Sequence, residues 1–162
     1  MSNWSNLPHL SGCRIQGPDA VDFCQAQSTG DITAFEPGRW RITAWCNPKG
    51  RVKLVLLLAR VGDSLEMLLP REQQSALKTL TMYTIGRKVE ILPVDHVSGL
   101  HDPAAGERQL AGDDRRALRL TDSAPDPEPD PAWLIDWQAR DLILPLPWLN
   151  ERTQEQFLPQ AL

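Results

Sequence analysis

The order of periodic segments in this sequence predicts an α+β fold in which helices cover an antiparallel sheet. Residues 40–46 alternate in polarity, as strands do, and the turn-forming residues "NPKG" separate them from the apolar run 52–59. Segments with helical spacing occur before and after these strands, at 18–27 and after Pro70. The predicted order is strand, helix, three strands, helix, strand.

The first helix is predicted from Pro18 to about Gln27, after a short strand at 14–16. Pro18 suits the first turn of a helix, and Gly30 suits the exit. The apolar residues that recur at helical spacing are Ala20, Val21, Phe23, Cys24 and Ala26.

The central feature is a predicted hairpin with strands at 40–46 and 51–59 and a turn centred on Pro48 and Lys49. Asn47 can cap its own backbone, and Gly50 tolerates a positive φ. A loop of two or four residues would place Cys46 opposite Arg51 and Ala44 opposite Lys53. A three-residue bulged loop would change that register, and the sequence leaves both alternatives open.

The remaining segments are predicted from the same periodicities. Ala76, Leu77, Leu80 and Tyr83 are expected to form the apolar face of the second helix, which ends at Gly86. Further strands are predicted at 65–69, 87–92 and 116–120. Residues 121–132 are rich in proline and acids and are expected to be a solvated loop. Residues 133–149 are expected to pack back as a short strand and helix with irregular turns. Residues 153–158 are expected to form a short helix.

Composition excludes several classes of protein. The 162 residues suit one domain or two small subdomains, and a net charge of −4 argues against a general nucleic-acid binder. The longest apolar run is far too short to span a membrane, and the polar N-terminus is unlike a signal peptide, so a cytoplasmic protein is expected. Three unpaired cysteines do not form a disulfide or zinc framework. Cys13 and Cys24 are interpreted as buried residues, and Cys46 stays open because it borders the turn. No catalytic or metal motif is present.

The hairpin region is strongly basic. Six basic residues and no acidic one occur between Arg39 and Arg60, which favours an anion such as a carboxylate or phosphate. A solvated strand face is an equal alternative. Trp40 and Trp45 lie on opposite faces of one predicted strand, so at least one of them should be in the core. The other could stack on a flat heterocycle. For each tryptophan considered by itself, a core position is the preferred interpretation.

Four segments together resemble one family. "GPDAVDFCQAQSTGDI", "AWCNPKGRVKLVLLLAR", "LTMYTIGRKVEI" and "FLPQAL" are similar, in this order, to segments of the YgfZ-type folate-binding proteins, relatives of the aminomethyltransferase (T-protein) of the glycine cleavage system. The second segment, with Cys46, Asn47, Lys49, Gly50 and Arg51, is the most specific. The first departs at Cys24 and Ala26, where Leu and Gly are usual.

The resemblance implies ferredoxin-like antiparallel subdomains, with helices on one face, around a channel for tetrahydrofolate. It implies a role in assembling or maintaining iron–sulfur enzymes, including one that modifies tRNA, with those enzymes or assembly proteins as partners. It covers the first half of the family, so residues 1–162 are expected to be an incomplete folate-binding region without the C-terminal barrel, and to bind folate weakly alone.

The binding residues that the resemblance implies are Gln27, Thr29, Trp45, Asn47, Lys49 and Arg51. Trp45 and Asn47 would suit the pterin by stacking and amide contacts, and Lys49 or Arg51 would suit the anionic glutamate tail. The aspartate pair that follows the matching glycine in true aminomethyltransferases is missing after Gly50, so no catalytic residue is expected. An aminomethyltransferase-like enzyme and an interaction fragment that has lost folate binding are the alternatives.

Overall fold

The computed structural model describes residues 3–161 as a single curled sheet with three α-helices. The strands are β1 (Ser5–Asn6), β2 (Leu10–Gln16), β3 (Arg39–Cys46), β4 (Val52–Val61), β5 (Ser64–Pro70), β6 (Glu90–Val94), β7 (His96–His101), β8 (Gln109–Leu110) and β9 (Asp113–Thr121). The helices are α1 (Ala20–Gln27), α2 (Ala76–Met82) and α3 (Pro131–Ile143).

The nine strands follow the order β1-β7-β9-β8-β3-β4-β5-β2-β6, and every pair except β3–β8 is antiparallel. The sheet curls so far that Gly12 of β2 faces the Leu120 side chain of β9, although other strands separate them in the sheet order. The predicted α+β fold is confirmed. Its division into ferredoxin-like subdomains stays a prediction.

The two larger of three hydrophobic clusters among the described residues lie on the two faces of this sheet, because side chains alternate along each strand. The convex core contains Phe23 of α1, Leu77 and Leu80 of α2, and Trp45. The concave core contains Trp40, from the same strand as Trp45, and is closed by α3 and the residues that follow it. Helices therefore cover both faces, whereas one covered face was expected.

The early segments agree best with the sequence prediction. Helix α1 and strands β3, β4 and β5 lie where they were expected, and β4 is central between β3 and β5. The predicted second helix is shorter: a 3₁₀ turn at Arg71–Gln73 precedes α2. Strand β2 begins at Leu10, earlier than predicted, and β6 occupies 90–94 instead of 87–92.

The C-terminal third differs most from the prediction. Residues 131–143 form one helix where a short strand and helix with irregular turns were expected. The predicted helix at 153–158 was wrong, because residues 151–156 form turns and a 3₁₀ turn follows at Pro159–Ala161. Between Thr121 and α3 the acidic proline segment has no helix or strand. It is held by a hydrogen bond from Asn6 N to Pro127 O (2.9 Å) and an ion pair between Arg119 and Asp126 (2.9 Å).

Among residues 3–161, no helix is long and apolar enough to cross a membrane.

Candidate functional site

The hairpin turn is built by its own backbone and the Asn47 side chain. Asn47 N donates to Arg51 O (2.8 Å) and Gly50 N donates to Asn47 O (2.9 Å), so the loop proper is Pro48–Lys49–Gly50. Asn47 Oδ1 accepts hydrogen bonds from the backbone N–H groups of Lys49 (2.9 Å) and Arg51 (3.0 Å). Gly50 has φ +75°, which favours glycine. The predicted turn is confirmed, and the amide oxygen of Asn47 is committed to it.

The bulged alternative for the hairpin is the observed one. Cys46 pairs with Val52 and Ala44 with Val55, and Lys53 is an extra residue at a bulge. The pairings of Cys46 with Arg51 and of Ala44 with Lys53 were therefore wrong. The physical reason is the positive φ of Gly50, which permits a three-residue loop with a bulge.

Trp45 is not available for stacking on a ligand. Its side chain is buried in the convex core, with 4% of the residue exposed. The Tyr83 ring meets it edge-on at 6.1 Å between centroids, and Lys53 Nζ lies 5.0 Å from the ring centroid. Trp45 thus holds the hairpin against the convex layer, and the predicted role in pterin stacking is corrected.

Two basic residues remain together at the turn. Lys49 and Arg51 are exposed and line an open depression of about 640 Å³ with Asn47, Pro48, Glu155 and Gln156. Arg51 Nη1 donates to Gln156 O (3.1 Å), which orients the guanidinium along this wall. The carboxylate of Glu155 lies on the same rim and partly offsets their charge.

The other four basic residues of the hairpin are engaged elsewhere. Arg39 pairs with Asp114 (2.7 Å) and Arg41 approaches Glu36 (3.9 Å). Lys53 lies over Trp45, and Arg60 donates to backbone carbonyls at the far end of β4. The six cations predicted to form one anion-attracting field are therefore dispersed, and only the pair at the turn remains.

A second depression of about 300 Å³ lies beside the first on the concave side of β3. Its walls are mostly apolar and are formed by Thr29, Ile42, Thr43, Ala44, Val55, Pro145, Pro147 and Pro159. The Thr29 hydroxyl lies 3.5 Å from that of Thr43 and accepts from Ala44 N (3.2 Å). Gln27 ends α1 two residues earlier and is half-buried; it is not among the residues that line this depression.

The segment 155–159 supplies lining residues to both depressions. Val52 N donates to Phe157 O (2.8 Å) and Glu155 N donates to Val52 O (2.7 Å), so this segment pairs with the start of β4. Gln156 lines the first depression and Pro159 the second. Sequence reasoning missed these residues because nothing in "TQEQFLPQ" indicates that it returns to the hairpin.

Burial raises the pKa values of all three cysteine thiols. Burial raises the pKa values of Cys13 and Cys24 to about 12, with a smaller contribution to Cys13 from Cys24 itself. Burial also raises the pKa of Cys46, so the nearby cations do not make it a thiolate. Within the described range, no three His, Cys, Asp or Glu side chains are grouped to hold a metal.

The chain is similar to proteins of one class. The chain is 33% identical over 95 residues to the tRNA-modifying protein YgfZ of Pectobacterium carotovorum, covering 58% of this chain and 28% of that protein. It is 28% identical over 169 residues to an uncharacterized protein of Haemophilus influenzae, covering all of this chain and 60% of that one. No family model matches the chain.

A solved structure agrees with the same class. The glycine cleavage system aminomethyltransferase T from Bartonella henselae superposes with a TM-score of 0.55 at 17% identity, over 60% of this chain and 28% of the other. These matches confirm the resemblance to YgfZ and to aminomethyltransferases that the four sequence segments predicted. This chain spans only part of the length of these relatives.

Proposed function

We propose that this chain is a tetrahydrofolate-binding, non-catalytic accessory protein, acting in the cytoplasm on iron–sulfur enzymes, including one that modifies tRNA. The likeness to YgfZ proteins and the fold of aminomethyltransferase T support a folate-related role. The observation that carries the proposal is the pair of adjoining depressions, one apolar with hydroxyls and one with two cations.

The pterin end of the folate is assigned to the depression on the concave side. Its volume of about 300 Å³ lies at the lower end of the range of small-molecule pockets, ~300–1,000 Å³. Apolar contacts from Ile42, Ala44 and Val55 would cover a flat ring. The Thr29 hydroxyl would supply a hydrogen bond to its polar edge, while Gln27 at the end of α1 would act only by positioning Thr29.

The glutamate tail is assigned to Lys49 and Arg51. Both side chains are exposed, and neither pairs with a carboxylate in the described part of the chain. Because 155–159 supplies lining residues to both depressions, one extended molecule could contact both. Asn47 contributes by fixing the turn, and its free amide N–H groups could donate to a carboxylate.

Transfer of an aminomethyl group is not the function that these residues favour. Strand β4 carries no acidic residue, and its side chains from Leu54 to Ala59 are buried. No carboxylate projects from the start of β4 to orient a folate amine. The match to YgfZ of Pectobacterium carotovorum covers 28% of that protein. The iron–sulfur enzymes are therefore named as partners only as part of this proposal.

A volume test addresses the pterin site. Ile42 is 36% exposed on the depression wall, so Ile42→Trp should fill the depression without disturbing the core. Calorimetric titration with tetrahydrofolate should show affinity at least ~10-fold weaker, a difference of ~1.4 kcal/mol. The matched control is Val61→Trp, at 40% exposure on the far end of β4, which should bind as the wild type does. Equal affinity in all three proteins would exclude this site.

A further inference from the structure

Basic side chains divide into two groups by their ion pairing. In the part of the chain that the structure describes, eight arginines pair with carboxylates, and these are Arg14, Arg39, Arg41, Arg108, Arg115, Arg116, Arg119 and Arg140. By contrast, within residues 3–161 none of the basic residues on or just after α2 takes part in an ion pair. Those residues are Lys78, Arg87 and Lys88, and the stretch 75–89 that contains them has no acid.

The most exposed apolar residues of this stretch lie among these cations. Ile85 is 84% exposed and Met82 is 68% exposed. Lys78 and Met82 are four residues apart on α2 and share one side of the helix. We call the surface made by Lys78, Met82, Tyr83, Ile85, Arg87 and Lys88 the α2 face.

The α2 face is held in one shape by its backbone. Tyr83 N donates to Leu80 O (3.0 Å), and Arg87 N donates to Thr84 O (2.9 Å), so the chain is turned tightly after the helix. Lys88 N donates to Asp19 Oδ2 (2.8 Å), which joins the end of the turn to the residue before α1. That bond occupies the Asp19 carboxylate, and the next acid along the chain after Lys88, Glu90, accepts from Gln16 Nε2 (3.2 Å).

Tyr83 connects the α2 face to the hairpin. Its ring is about half exposed and meets Trp45 edge-on, and Lys53 covers the Trp45 ring. Lys53 therefore adds a fourth cation beside the α2 face and also has no carboxylate partner in the described part of the chain. Arg87 lies over the Phe23 ring at 6.0 Å and likewise has no carboxylate partner in the described part of the chain. An exposed apolar patch next to cations without carboxylate partners complements a surface that has apolar side chains and carboxylates.

We propose that the α2 face is a docking surface for an acidic amphipathic segment of a partner protein. The most exposed apolar side chains of the α2 face are the aliphatic Ile85 and Met82. These can pack against apolar side chains of a partner protein. Binding of single-stranded RNA relies on several aromatic side chains on which successive bases stack, whereas Tyr83 is the one aromatic residue among the six that define the α2 face. The surface is independent of the two depressions, so its test does not depend on folate.

The probe is a synthetic 18-residue helical peptide with leucine on one face and glutamate elsewhere, titrated by fluorescence anisotropy. Ile85→Ser and Lys78→Glu should each weaken its binding at least ~10-fold, which is ~1.4 kcal/mol. Replacing the glutamates of the peptide by glutamine should weaken it to a similar extent. Raising the salt from about 0.1 M to 1 M, which shortens the Debye length from ~10 Å to ~3 Å, should do so as well.

The matched control is Leu142→Ser on α3. Leu142 is also 84% exposed, but the nearest arginine on that helix, Arg140, is paired with Asp136 (3.4 Å). This variant should bind the peptide as the wild type does. The proposal is overturned if the peptide does not bind, or if Ile85→Ser and Leu142→Ser lose affinity equally. It is also overturned if oligouridine or phosphatidylglycerol vesicles bind at the α2 face and the peptide does not.

Discussion

Replacing both Lys49 and Arg51 by alanine is expected to weaken the binding of polyglutamylated folate while leaving monoglutamylated folate less affected. Both cations are exposed at the open depression beside the turn. Additional glutamates extend past the first carboxylate, so they gain most from a cation pair at the end of the site.

The magnitude follows from exposure. An exposed ion pair contributes ~0.2–1 kcal/mol, so two contribute ~0.4–2 kcal/mol, which corresponds to a ~2–30-fold loss of affinity. Arg51→Ala also removes the bond to Gln156 O. Arg51→Lys provides a check, because it keeps the charge and loses the fixed guanidinium geometry.

Calorimetry with mono- and pentaglutamyl tetrahydrofolate at low and high salt measures this difference. The matched control is the double variant Lys78→Ala with Arg87→Ala, which removes the same net charge from the α2 face. It should bind both ligands as the wild type does. The assignment of the tail would be refuted if the Lys49 and Arg51 variant lost the same affinity for both ligands. It would also be refuted if the control variant lost as much affinity as the Lys49 and Arg51 variant.

Three further predictions concern stability and mobility. Asn47→Ala should lower the free energy of unfolding by ~1–3 kcal/mol in urea titrations, because Oδ1 accepts two backbone bonds worth ~0.5–1.5 kcal/mol each, and Asn47→Asp should lose less. Burial raises the pKa of Asp126, but the nearby Ser98 hydroxyl and the ion pair with Arg119 outweigh burial and leave the pKa below its usual value of 3.8. The stability that this carboxylate adds is therefore present above that pH and lost as the pH falls further. Asp126→Asn should therefore lose less stability than the wild type during acid titration, and equal losses would count against this pairing. Limited proteolysis should cut first within 121–132 with both halves staying associated; protection equal to that of the hairpin would contradict this.

The hairpin could be predicted because its determinants are local. The alternation in β3, the apolar run of β4 and the turn chemistry of Asn47 and Gly50 all lie within one stretch of sequence. The strand register and the burial of each side chain were harder to predict from the sequence, because they depend on the bulge at Lys53 and on which helices cover each face. Trp40 and Trp45 lie on opposite faces of β3, as predicted, but only the tertiary packing shows that both are buried in the core.

The start and length of helix α3 were not predicted, although local signals for them exist. Asp130 caps the helix by accepting from Ala132 N (2.8 Å), and Pro131 occupies its first turn. Both residues were assigned to the acidic proline segment. Strand β7 was not predicted, because Gly99 is unfavourable in a strand pattern although β7 runs through it. A Cβ at Gly99 would lie 2.6 Å from the Trp137 indole of α3. A packing reason of this kind cannot be read from the strand alone.

The measurement that tests the central claim most directly is an anaerobic calorimetric titration of this chain with pentaglutamyl tetrahydrofolate. The two depressions, both lined in part by 155–159, predict saturable binding of one ligand per chain with Kd below ~1 mM, equal to about −4.1 kcal/mol. Ile42→Trp should weaken this binding at least ~10-fold, and Val61→Trp should leave it unchanged. An absence of saturable binding at ~1 mM, with the chain folded by circular dichroism, would contradict the claim that residues 3–161 form a folate site.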